Sequence, residues 1–313
     1  MNNPADQEPE GNRYDTTARP ISPEWPVEVD LHLHTTASDG TLTPTKLIEQ
    51  IATTSLKTIA ITDHDSTDGL DEAIGASKLH SHLSIIPGLE LGTATDDSKL
   101  HLLGYFIDTS NSDLQSILKR FRSERIDSAR VMVNRLRELK RPIEWERVME
   151  IANGAIGRPH IARAMVEAGH VGSVTEAFER YIGDKGPAMA ERPKLHPADA
   201  LATIHSAGGI GVLAHPRTVS RLDSIVPELV DAGLAGIEVY AEKYGSTRRD
   251  DYLSIATKYD LVPSGGTDYH ASGAQNEVIP GTNGPPPDTG LKLLSRAIEK
   301  HGSNVGLVPT GLP

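Results

Sequence analysis

"VDLHLHTTASDGTLTP", residues 29–44, sets two histidines two residues apart at the end of an apolar run, with an aspartate five residues after the second. Side chains of an extended strand alternate faces, so His32 and His34, with Asp30 below them, share one face and Leu31 and Leu33 the other. Two imidazoles can then reach one ion. Taken alone, the same spacing also describes two polar residues satisfied by hydrogen bonds at a strand end. Just beyond, "TPTKLIEQI" predicts a helix over about 44–53, with Thr43 as N-cap and Pro44 at the first helical position.

Working outward, short apolar, β-branched runs recur at 27–33, 58–62, 84–92, 100–106, 210–214, 236–240 and 261–264, which predicts seven strands. Helix-like stretches at about 68–79, 197–207, 222–232 and 247–259 follow several of them. The alternation predicts an α/β fold, a barrel with inward-pointing strand ends. It stops between about 111 and 195, where helices at 112–139, 144–152, 158–168 and 173–182 follow one another. Leu118, Phe121, Ala129, Met132, Leu136 and Leu139 fall largely at three- and four-residue steps, so the first of these helices packs against something. The expected organisation is a disordered tail over 1–26, a barrel from 27–110 and 196–301, an inserted helical cap over 111–195, and a C-terminal tail over 302–313. A Pro/Gly loop at 280–290 precedes the closing helix at about 290–301.

Aromatic residues are only 4% of the 313, so the core must be built from Ile, Leu, Val and Ala, which suits a sheet wrapped by helices. Without cysteine there are neither disulfides nor thiolate ligands. No stretch resembles a secretory signal or a membrane span, which predicts a cytoplasmic protein without membrane partners. A net charge of −12 argues against general nucleic-acid coating, which relies on a cationic surface. Residues 119–141 reverse that sign locally, with nine Lys or Arg against three acids.

Further donors stand at other strand ends. "AITDHDSTDG" carries Asp63 and His64, "IIPGLELGT" carries Glu90, "LHLLGY" carries His101, "GVLAHP" ends on His215 and "PSGGTDYH" on Asp268 and His270. Leaving such groups unpaired at the ends of core strands is expensive, and a shared ion cluster satisfies them together.

As a set these residues resemble the PHP superfamily, named for polymerase and histidinol phosphatase domains; the resemblance covers about 27–110 and 196–275. It implies a distorted (β/α)7 barrel holding three divalent ions, and phosphoester hydrolysis. It places His32, His34, Glu90 and Asp268 on the first ion, Glu90, His101 and His215 on the second, and Asp39, His64 and His270 on the third. Some relatives carry histidine where Asp39 stands, so this site suits a harder ion such as Mg; Mn, Fe and Zn all suit the nitrogen and oxygen donors. Water between two ions about 3.5–4 Å apart loses a proton near neutral pH and attacks phosphorus in line. Glu90 and His215 then stand nearest the chemistry, with Asp63 behind a histidine as its orienter. Glu238, at the end of the sixth strand, is expected to be a packing residue satisfied by hydrogen bonds.

Arg158 and His160 open a helix beside Pro159, where phosphate is favoured, and similar residues contact substrate phosphate in the capped, nucleotide-hydrolysing branch that the sequence resembles. The expected partner is a small nucleotide (a nucleoside mono- or 3′,5′-bisphosphate) or a single-stranded RNA 5′ end, not duplex DNA. Histidinol phosphate or another small phosphomonoester is the alternative substrate. A non-catalytic metal-stabilised module is an alternative of another class. The amidohydrolase pattern, which opens similarly, normally needs a bridging lysine, and none stands in the runs at 210–214 or 236–240.

Overall fold

The computed structural model describes residues 24–152, 156–241, 246–274, 277–309 and 311–312. The expected tail over 1–26 therefore lies almost wholly outside the described residues. Each apolar run forms the strand expected of it. In chain order the strands are β1 (Val29–Leu33), β2 (Thr58–Ile61), β3 (Ser84–Ala94), β4 (Lys99–Tyr105), β5 (Ile210–Leu213), β6 (Leu234–Tyr240) and β7 (Val262–Gly265). They form one curled sheet in sequential order. Around it lie α1 (Pro44–Ile51), α2 (Leu70–Ser77), α3 (Ser112–Glu138), α4 (Trp145–Ala152), α5 (Arg158–Glu167), α6 (Val174–Ala177), α7 (Pro197–Ser206), α8 (Leu222–Asp231), α9 (Ser246–Lys258) and α10 (Thr289–His301). Thr43 caps α1 as expected, its hydroxyl accepting from Lys46 N at 3.3 Å.

The sheet is mixed rather than uniformly β/α. β1, β2 and β3 are parallel, as are β5, β6 and β7, but β4 runs antiparallel to both its neighbours. A tight turn, closed by Thr95 N donating to Ser98 O at 2.8 Å, joins β3 to β4. So short a connection can only return the chain antiparallel; a parallel partner needs a crossover of a dozen or more residues.

Beyond β7 the chain turns back to β1: Asp268 N donates to His32 O at 2.9 Å and His34 N to Tyr269 O at 3.0 Å. Asp30 fixes this junction from within, accepting from Thr267 N (3.0 Å), Thr267 Oγ1 (2.7 Å) and His32 N (3.3 Å) while fully buried. Gly266 lies so close that a Cβ there would sit 2.5 Å from His32 N, so no larger residue fits without backbone movement.

Residues 111–195 form helices, apart from a bridge between Leu195 and Thr93 of β3. α3 belongs to two cores. Leu114, Leu118 and Phe121 pack with the sheet's main cluster, while Ala129, Met132, Val133 and Leu136 pack with α4, α5 and α6. The expected helix at 173–182 divides into α6 and a π-helical turn over Phe178–Ile182. The expected C-terminal tail is docked: Gly306 N donates to Gly208 O at 3.1 Å, Ser84 Oγ to Gly311 O at 2.8 Å, and Leu312 packs on the core. Among the described residues no helix is long and apolar enough to cross a membrane.

Removing the buried acceptor at the β7–β1 junction strands three donors. Asp30→Ala is expected to lower unfolding stability by about 2–4 kcal/mol in urea titrations. A loss below about 0.5 kcal/mol, the range of surface changes, would contradict this role for Asp30.

Candidate metal centre and active site

The donors predicted from the strand ends converge on Glu90, which is fully buried. β1 delivers His32 and His34, the loop after β2 His64, β4 His101 and the end of β5 His215. One carboxylate oxygen, Oε2, lies 3.2 Å from His32 Nε2, 3.3 Å from His34 Nε2 and 2.9 Å from His64 Nδ1. The other, Oε1, lies 2.7 Å from His101 Nδ1 and 2.9 Å from His215 Nε2. Asp268 Oδ1 completes one compact set at 3.4 Å from His32 Nε2 and 3.3 Å from His34 Nε2. His32, His34 and Glu90 each bring one donor atom within 4.8 Å of the others, close enough for all three to hold one ion.

A further set forms around Asp39, whose carboxylate lies 3.2 Å from His270 Nε2 and 3.9 Å from His64 Nε2. His34 Nε2 and Asp39 Oδ1 are buried without a hydrogen-bond partner, the condition expected of atoms that ligate an ion. The donor chemistry and these two orphaned atoms fit divalent metal.

Electrostatics tell the same story. Burial alone would raise the Glu90 carboxyl, yet His64, His101 and His32 hold it well below the usual carboxylate range. Asp39 is likewise held low against its burial by His270 and His64. Burial would lower His32, but Glu238, Glu90 and Asp268 raise it well above its ordinary value; His270 is raised to about 10, Asp39 outweighing burial. His101 goes the other way, to about 4, because burial dominates there. In the ion-free chain, protons on imidazoles supply the positive charge the carboxylates need.

Backbone conformation aims several of these groups. His215 (φ 28°), Asp268 (φ 55°) and Asp65 (φ 49°) all have positive φ, in the region where non-glycine residues are uncommon. Glu238, expected to be a packing residue satisfied by hydrogen bonds, makes them with the cluster itself: it faces His32 Nδ1 at 3.0 Å and accepts from His215 N at 2.6 Å. Asp63, expected to orient a histidine, accepts from Thr35 N (2.7 Å), Thr35 Oγ1 (2.7 Å) and Ser38 Oγ (2.6 Å). Its reach to His34 is indirect, through Ser38 Oγ at 3.5 Å from Nδ1.

The cluster opens into a cavity of about 910 Å³ between the sheet and the helices of 111–195, lined by His64 and His101 on one side and Arg158, Ile156 and Phe178 on the other. Arg158 is half-buried, paired with Asp184 at 2.9 Å and lying over the Phe178 ring. His160 is 1% exposed and does not line the cavity; its Nδ1 accepts from Gly157 N at 2.9 Å, closing the start of α5. The basic run is largely spent on structure: Arg122 pairs with Asp68 at 2.5 Å, Arg130 lies over Trp145, and Arg141 meets Tyr181 Oη at 3.2 Å. Arg125 alone of its cations lines the cavity, among the described residues.

Sequence reasoning missed the partner of Arg125. Asp65 is buried, accepts from Arg125 Nη2 and Arg192 Nη2 at 2.6 Å each and from Gly92 N at 3.2 Å, and is held down to about 2 against its burial by the two guanidiniums. The available signal was weak: Asp65 directly follows the Asp63-His64 pair. Arg192 and Lys194, in "ERPKLHP", carried a better one, since alternate residues of an extended segment share a face.

Histidine and carboxylate donors gathered at the strand ends of a curled α/β sheet define a class, the α/β proteins with a divalent-metal centre. A PHP domain model matches residues 30–181. The chain is 32% identical to the 5′-3′ exoribonuclease Rnm of Salmonella typhimurium over 254 residues, 79% of this chain and 86% of that protein. It is 30% identical to the 3′,5′-nucleoside bisphosphate phosphatase of Chromobacterium violaceum over 265 residues, 83% of this chain and 93% of that one. A Bifidobacterium adolescentis structure described as a metal-dependent phosphoesterase superposes with a TM-score of 0.81 at 33% identity, covering 88% of this chain and 98% of that one. The chain belongs to the PHP family.

Ligation requires neutral imidazoles, whereas His270, raised to about 10, and His32 hold protons in the ion-free chain. Manganese binding should therefore release protons, and apparent affinity should rise by about tenfold per pH unit for each proton displaced, from neutral pH to the raised imidazole values. Calorimetric titration in buffers of different ionisation enthalpy checks this. Binding heats that do not change with buffer would contradict it.

Proposed function

We propose that this chain is a hydrolase of nucleotide-type phosphomonoesters: nucleoside mono- or 3′,5′-bisphosphates, or the 5′ ends of short single-stranded RNA. One observation carries the reading. Asp39, His64 and His101 of the donor cluster line a cavity whose wall also holds Arg125, Arg158, Arg192 and Lys194, so cations that can meet a phosphate stand beside the donors on a chain of net charge −12, with Asp96, Asp97, Asp184, Glu191 and Glu228 lining the same cavity. The named relatives act on nucleotides and RNA, which supports the same substrate class.

In this reading three divalent ions are held, the first by His32, His34, Glu90 and Asp268, the second by Glu90, His101 and His215, the third by Asp39, His64 and His270. Mn, Fe and Zn suit the first two donor sets, and Mg suits the Asp39 site. Bound there, the ions supply an acidified water and neutralise phosphoryl charge. The chain's own groups do the rest. Glu90, ionised and buried, fixes the spacing of its imidazoles; Glu238 locks the orientation of His32 and the backbone of His215; Asp63 holds the loop that carries Asp39.

The helices of 111–195 act as a cap over the strand ends, enclosing a volume suited to one nucleotide or a chain end and too small for a duplex. Arg158 binds substrate phosphate from the cap, and His160 positions it by closing the first turn of α5.

Purified protein loaded with Mn is expected to release phosphate from nucleotide substrates far faster than from histidinol phosphate or sugar phosphates, and chelator should abolish turnover. Arg158→Ala should lower kcat/KM at least tenfold, about 1.4 kcal/mol of transition-state binding. Comparable rates on sugar phosphates with a kinetically silent Arg158→Ala would remove the nucleotide reading.

A further inference from the structure

Between the cap helices and α7 the chain passes along the edge of β3, where Ala94 N donates to Leu195 O at 3.0 Å. Arg192, Lys194 and His196, alternate residues of this segment, all line the cavity. Arg192 is anchored by Asp65, but its Nη1 is buried with no hydrogen-bond partner. Lys194 is half-buried and forms no hydrogen bond or ion pair among the described residues. Its surroundings are cationic: Lys99 and Arg158 share Asp184 at 3.4 and 2.9 Å, and burial, Arg192 and Lys99 push the Lys194 ammonium down to about 8. An unpaired, part-desolvated ammonium beside an unpaired guanidinium edge is unfavourable in the free protein, and an anion would satisfy both.

Position indicates which anion. A Cβ on Gly92 would lie 3.3 Å from Arg192 Nη2 and 3.6 Å from His101 Nε2, so Arg192 flanks the donor cluster. Lys194 stands two residues beyond Arg192 and lines the same cavity, so the pair is placed to meet a second phosphoryl group of a substrate whose first lies at the donor cluster.

We propose that Lys194, with the free edge of Arg192, binds a second phosphoryl group of the substrate, one nucleoside away from the phosphate at the metal centre. This rests on the nucleotide reading above. The shared chemistry is a phosphate oxyanion, supplied either by the other phosphate of a nucleoside 3′,5′-bisphosphate or by the next phosphodiester of an RNA chain. Lys194 is then the residue that favours substrates with two phosphates over those with one.

The test compares adenosine 3′,5′-bisphosphate and the dinucleotide pApA with adenosine 5′-monophosphate. Affinities are measured by calorimetry on the full-length protein in EDTA, and kcat/KM on the Mn-loaded protein. Both two-phosphate ligands are expected to bind at least tenfold more tightly than the monophosphate. Lys194→Met should erase that preference and Lys194→Arg retain it; should Lys194→Met not fold, Lys194→Gln is read the same way. Preference for the bisphosphate alone identifies a terminal phosphate as the occupant, and preference for pApA alone a chain. Equal affinity for one- and two-phosphate ligands, no binding of either two-phosphate ligand in EDTA, or a preference that survives Lys194→Met overturns the proposal. Because affinity is read without turnover, a protein that shows the preference yet hydrolyses none of these compounds would overturn the catalytic reading and leave this site standing.

Discussion

A carboxylate with no solvent exposure sits among five imidazoles, and the rest of the structure is arranged to make that possible. Burying an ionised carboxylate without partners is prohibitive, so Glu90 requires positive charge from every direction that water would otherwise supply. No single element can provide it. Two histidines on alternate positions of β1, one from the loop after β2, one from antiparallel β4 and one from the end of β5 reach it only because the sheet curls its strand ends toward a common point. The mixed topology contributes here, because the β3–β4 hairpin brings His101 of β4 against Glu90 of β3.

Holding those imidazoles in place falls to groups behind them. Glu238 fixes His32 from the side opposite Glu90 and also caps the backbone of His215, so one residue of β6 serves donors from β1 and β5. Asp30 ties β1 to the turn after β7 that presents Asp268. Positive φ at His215 and Asp268 shows that these ligands are set by the surrounding structure, since isolated residues of their kind favour negative φ. Asp65 extends the same logic outward, joining Arg125 of α3 to Arg192 beside the donor cluster.

Much of this was legible in the sequence because strand ends are marked locally. An apolar run that stops on a histidine or an acid identifies both the element and the direction of its donor, and His32, His34, His64, Glu90, His101, His215, Asp268 and Asp39 with His270 all gather as that pattern suggests. What was not legible depends on tertiary contact. Glu238 looked like any polar residue at the end of β6, because nothing local reveals that its partner is 206 residues away. The direction of β4 was hidden in a four-residue turn, and α3 read as one amphipathic helix although its two halves serve different cores. The basic run stood out as a local reversal of the chain's charge, yet Arg122, Arg130 and Arg141 are spent on Asp68, Trp145 and Tyr181.

In the proposed reading Glu90 is shared between ions, and the flanking donors divide into three sets around it and Asp39. Crystals grown with manganese and measured for anomalous scattering address this directly. The account predicts separate peaks between His32, His34, Glu90 and Asp268, between Glu90, His101 and His215, and between Asp39, His64 and His270. A single peak at full occupancy, or none within bonding distance of Glu90, would contradict it.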